Sequence, residues 1–151
     1  MTGTTCRRTR SRDRAEGKRK VQYAMTARTG ASFAEASSRV REALKAQGFG
    51  VLTEIDVQST LREKLGEQME QYVILGACSP PLAHRALSAD RSIGLLLPCN
   101  VVVRAADDGT IVEALDPRAI AAVAGHPELI DIAEDAAARL RAALDALPRE
   151  R

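Results

Sequence analysis

Two of the chain's three cysteines stand where a sulfur can do chemistry. Cys78 ends the apolar run Tyr72-Val73-Ile74-Leu75-Gly76-Ala77, and Ser79-Pro80-Pro81 then reads as a helix start, with Ser79 as N-cap and proline in the first turn. Backbone N–H groups and the positive helix end beside a sulfur lower a thiol pKa and make thiolate available for nucleophilic or metal chemistry. Cys99 holds a similar place, after Pro98 and before the amide of Asn100. If the strands that carry them are neighbours, both sulfurs face one pocket, with His84 approaching from the intervening helix. Two sulfurs and an imidazole suit a soft metal such as Cu(I) or Zn(II). The spacing 78, 84, 99 matches no standard zinc arrangement, and a structural zinc wants a fourth ligand. The competing reading is plain burial, since free cysteine packs as a small apolar group, and His84 is equally at home as an exposed helix residue.

Other candidates are thinner. Glu54 and Asp56 share a parity that points both away from Val51 and Ile55, and paired carboxylates do acid–base work when one pKa is raised. Asp56, however, already has a use as a helix cap. His126, before Pro127, reads as a cap or a solvated side chain. The chain has no G-x-S-x-G, no phosphate-binding glycine loop and no C-x-x-C.

These residues need elements to hold them, and hydrophobic periodicity supplies those. Val21–Ala27 alternates apolar and polar residues, as a first strand with one wet face does. Ser32 and Glu35 form an S-x-x-E capping box, and the spacing behind it predicts a helix over 33–47 closed by Gly48. Phe49, Val51, Thr53 and Ile55 alternate with Gly50, Leu52, Glu54 and Asp56, which predicts a half-buried strand. Asp56 caps a second helix ending at Gly66. The run 72–78 reads as a strand covered on both faces. A short helix follows over roughly 81–89, with Leu82, Ala83, Ala86 and Leu87 inward. Ile93–Leu97 leads into Pro98, which marks a sheet edge, a bulge or a strand start. Val101–Arg104 and Thr110–Leu115 form a hairpin about Asp107-Asp108-Gly109. A short helix opens at Asp116-Pro117 and ends at Gly125; the last begins at Pro127, with Asp135 and Arg139 as an i,i+4 pair on its outer face. The order is β-α-β-α-β-α-β-β-α-α. It excludes a regular doubly wound sheet and predicts an α+β fold with helices packed on a mixed or antiparallel sheet.

Gly48-Phe49-Gly50-Val51-Leu52-Thr53-Glu54-Ile55-Asp56-Val57 resembles a signature of the domain of unknown function 302 family. So do Ile74–Cys78, Pro80-Pro81-Leu82-Ala83-His84 and Gly94–Val103, and the resemblance spans roughly Lys20 to Leu147. It implies a compact domain of β-α-β(4)-α type that pairs as a homodimer, with no established activity. Members often carry Asn where this chain has Ser79, a departure that leaves capping chemistry intact.

Composition sets the remaining bounds. A chain of 151 residues fits one domain. With 45% hydrophobic residues but only 3% aromatic and no Trp, Leu, Val, Ile and Ala must fill the core. Residues 1–20 hold eight Lys/Arg against Asp13 and Glu16, a net +6, while the remaining 131 residues hold 14 basic and 18 acidic groups, a net −4. We therefore read 1–19 as a basic, disordered extension and 20–148 as the single domain. The extension has no interleaved aromatics and no recognition motif, so nucleic acid is not an expected partner. No apolar run approaches the ~18–20 residues that span a bilayer, and nothing apolar follows Arg7-Arg8, which points to the cytoplasm rather than a membrane or export. Cys6, Cys78 and Cys99 are an odd, sparse set that a reducing compartment keeps as thiols.

Three functions remain in contention. The first, and preferred, is a homodimeric binding protein holding a small ligand or soft metal in a pocket of Cys78, Ser79, Cys99 and Asn100, with His84 as a further metal ligand. The second is a thiol-dependent redox or sulfur-transfer protein with Cys78 as the reacting thiolate. The third is a structural or regulatory partner whose cysteines are inert core. A positioned catalytic base is missing from the sequence, which favours binding over catalysis.

Overall fold

The computed structural model describes residues 23–149, so the basic extension 1–19, Val21 and Cys6 lie outside the described residues. Among the described residues five strands and five helices follow one another in the order that periodicity predicts: β1 (Ala24–Thr29), α1 (Phe33–Ala46), β2 (Gly50–Asp56), α2 (Val57–Leu65), β3 (Tyr72–Cys78), α3 (Pro80–Ala89), β4 (Cys99–Ala106), β5 (Gly109–Leu115), α4 (Pro117–Ala124) and α5 (Leu129–Asp145). A 3-10 turn, Arg91–Leu96, separates α3 from β4. The strands form one sheet ordered β1-β5-β4-β3-β2, and each pairing is antiparallel. This is the α+β fold expected, with the antiparallel alternative realised.

α1 carries the chain from one edge strand to the other. Its 14 residues span roughly 21 Å, close to the ~19 Å between outer strands of a five-stranded sheet. The helix begins where the capping box predicts: Ser32 Oγ accepts from the Glu35 N–H at 3.2 Å. Ala36, Val40 and Leu44 form its buried stripe. α5 buries the longest stripe, from Leu129 to Leu144, and Leu140 in it is wholly enclosed. Burying such a side chain contributes about 1.5–3 kcal/mol.

One sheet face makes the core. Met25, Val73, Leu75, Ala77, Val101, Val103, Val112 and Ala114 are all buried and lie at matched ladder positions. The opposite face carries Tyr72, Ile74, Val102 and the ion pair Arg104–Glu113, all partly exposed. β3 is thus fully covered on one face only, short of the two expected.

β2 departs from simple alternation. A bulge between Val51 and Thr53 sets Val51 opposite Ala77 but Thr53 opposite Gly76 and Ile55 opposite Ile74. Thr53 and Ile55 therefore leave the face that Val51 shares with the core, and an inserted residue shifts every later side chain to the other side. Ile55 is 50% exposed and Leu52 68%. Glu54 and Asp56 do not pair as a carboxylate couple pointing away from Val51. Glu54 binds Arg41 of α1, and Asp56 Oδ1 accepts from the Ser59 N–H at 2.9 Å, capping α2. That bond, first among its causes, holds the Asp56 carboxyl below the usual range.

At the β4–β5 hairpin Gly109 has φ +149, and a Cβ there would strike the Thr29 carbonyl, so glycine lets β1 close beside the turn. His126 Nδ1 accepts from the Glu128 N–H ahead of α5, the capping role expected of it. Arg139 binds Asp135 as predicted. Among the described residues no helix is long and apolar enough to cross a membrane.

Candidate functional site

The β3–β4 ladder sets the two cysteines side by side. Ala77 faces Cys99 across the ladder, and Cys78 is the next residue along β3. Both residues line one cavity of about 360 Å³ between the end of the sheet and α3, α4 and α5. Ser79 lines it too, buried at the N-cap of α3 without a side-chain cap bond.

The two remaining expected residues stay apart. Asn100 is exposed, faces Gly76 across the ladder and does not line the cavity. His84 is exposed on α3 and does not line the cavity. Among the described residues no three His, Cys, Asp or Glu side chains gather as a metal site.

Glycine shapes the sheet end. A Cβ at Gly76 would meet Pro98 Cγ at 2.9 Å and Thr53 Oγ1 closer still. Only a bare backbone lets Thr53 and Pro98 close over β3, and both then contribute to the cavity wall. The bulge that turns Thr53 toward Gly76 thus also builds the site.

Across from the sheet the walls are hydrocarbon. α3 supplies Leu82, Ala83, Ala86 and Leu87; α4 and α5 bring Ile120 and Ile132 with Ala121, Ala133 and Ala136. Sequence reasoning placed several of these on inward stripes but missed that their convergence leaves a void. The signal was present: short alanines on three facing stripes, in a chain with almost no aromatic residues to fill the gap.

Electrostatics reverse one expectation. Burial pushes the Cys78 thiol up, and burial together with the neighbouring Cys78 pushes Cys99 up to about 11. The helix start has few donors to set against this. Pro80 and Pro81 occupy its first two positions and have no N–H, so Leu82 is the first residue of α3 with a donor to offer. Both cysteines are free and protonated at neutral pH. Among the described residues no Asp, Glu, Lys, Arg or His lines the cavity. The arrangement can enclose a small molecule in hydrocarbon and offer hydroxyl and thiol groups at the sheet end. It shows no activated nucleophile.

The family described as domain of unknown function DUF302 matches residues 24–147. A search among curated proteins finds no match. Among solved structures, the crystal structure of an uncharacterised conserved DUF302 protein from Bacillus stearothermophilus is 33% identical. The similarity covers 83% of this chain and 98% of that one, with a TM-score of 0.78.

Proposed function

The chain belongs to the DUF302 family, a domain of unknown function, and we propose that this member is a small-ligand-binding protein whose site is the cavity lined by Cys78, Ser79 and Cys99. The observation that carries the reading is the cavity itself. Its ≈ 360 Å³ lies within the range typical of small-molecule sites, and it pairs apolar walls with a few polar groups at one end. The raised thiols and the proline-blocked helix start weigh against Cys78 as a reactive thiolate. A soft metal would have to be held by the two sulfurs without His84, which lies outside the cavity lining. The small ligand is therefore preferred to the metal.

Homodimerisation belongs to the same reading. The sheet face bearing Tyr72, Ile74 and Val102 is only partly covered, and Ile55 extends it at the edge; a second copy fits this apolar strip. Free Cys78 and Cys99 suit a reducing cytoplasm.

The test is uptake of the uncharged dye N-phenyl-1-naphthylamine by the full chain, followed by fluorescence. Ala133 lies on the helical wall, and Ala133→Leu fills the void. Saturable uptake by the native chain, weakened at least tenfold in the variant, is expected. Equal uptake by both, or none by either, would refute the reading.

A further inference from the structure

Resting on that reading, and naming the class of ligand, we infer that the cavity selects uncharged apolar molecules carrying at most a hydroxyl or carbonyl, and rejects compact carboxylates and phosphates of the same skeleton. Three independent features converge on this.

Among the described residues no charged side chain reaches the lining: its polar side chains are Thr53, Cys78, Ser79 and Cys99, none of which is an ion at neutral pH. An anion moved from water into such surroundings gives up its hydration without gaining a partner, the costliest form of polar burial.

A helix aimed at a cavity normally offers an anion its first free N–H groups. α3 starts at the sheet end of this cavity, yet Pro80 and Pro81 strip donors from its first two positions. The Ser79 hydroxyl makes no capping bond, which leaves it free as a neutral donor or acceptor.

Two arginines close in sequence to wall residues are already paired: Arg118, which follows Pro117, forks onto Asp116, and Arg139, three residues after Ala136, is held by Asp135. A hydroxyl or carbonyl is different. It requires one or two neutral hydrogen bonds, which the Ser79 and Thr53 hydroxyls and the protonated thiols can give.

The experiment is competition against bound N-phenyl-1-naphthylamine at pH 7, using two rigid ligands of one skeleton, 1-naphthalenemethanol and 1-naphthoate. Their stiffness prevents a charged head from reaching the mouth on a flexible chain. Ala133→Leu serves as the filled-cavity control. The alcohol is expected to displace the dye at a concentration at least tenfold below that needed for the carboxylate. Displacement by 1-naphthoate at equal or lower concentration overturns the selectivity while leaving a ligand-binding cavity in place. Failure of both competitors against a dye that does bind also overturns it. Loss of the dye signal, or an undiminished signal in Ala133→Leu, defeats the cavity reading and this inference with it.

Discussion

Cys99 faces Ala77 across the β3–β4 ladder, and Cys78, the next residue along β3, lines the same cavity. The two pKa values move in one direction, because burial disfavours a thiolate at either position, and at Cys99 the neighbouring Cys78 adds to it.

The first prediction concerns alkaline stability. A folded pKa of about 11 for Cys99, against an ordinary 9.0, means that folding favours the neutral thiol. The stabilisation is complete below pH 9 and is lost as pH rises toward 11. With ~1.4 kcal/mol per pKa unit, the full loss is of order 3 kcal/mol. Denaturant titrations of wild type and Cys99→Ala between pH 8 and 11 check this: the wild type should lose its advantage as pH rises. Parallel curves would remove the assigned cause.

Thiol accessibility should follow burial. Cys78 is half-buried and Cys99 buried. Iodoacetamide should modify Cys78 first, at a rate rising with pH through and beyond 8, while Cys99 waits for unfolding. Rapid, pH-independent alkylation of Cys78 near neutrality would instead support a reactive thiolate.

Gly76→Ala should be costly. The added carbon meets Pro98 Cγ and Thr53 Oγ1, and overpacking of this kind costs about 1–3 kcal/mol. Thr53→Gly removes one of the two obstructions, so the double variant should regain part of the loss. Chemical denaturation of the two single variants and the double variant measures the coupling.

Ser32 and Ser79 offer a contrast between two serines at N-caps. Ser32 bonds the Glu35 N–H, so Ser32→Ala should cost about 1 kcal/mol. Ser79 makes no such bond, and Ser79→Ala should change stability by under ~0.5 kcal/mol. A similar loss from both would place Ser79 in capping rather than in the cavity.

The dimer has its own check. Light scattering on the native chain should give twice the monomer mass of 16.2 kDa. Ile55→Lys, at the exposed edge of the apolar strip, should return it to that mass without altering dye uptake.

Much of the fold was legible because its signals are local. Ser32 with Glu35, Asp56 with Ser59, and the apolar spacing of α1 and α5 act within a few residues, and the structure realises each. The bulge at Leu52 was not legible. Leu52 interrupts the alternation from Phe49 to Ile55, but it does not show which way the strand turns; the contact of Thr53 with the bare Gly76 backbone on the neighbouring strand goes with the shift. His84 and Asn100 fell outside the site for a related reason. Spacing puts residues near one another along the chain, but helix and strand geometry decides which side each faces.

By itself the sequence determined the order of elements, the caps that bound them and the sulfurs at the end of one strand and the start of another, because short-range sterics and hydrogen bonds settle such matters. Tertiary structure alone decided that β3 and β4 are neighbours, that alanines from three helices meet without filling their common space, and that the thiols stay neutral there. Cavities and shifted pKa values arise from distance and desolvation between segments remote in the chain, and no local pattern encodes those.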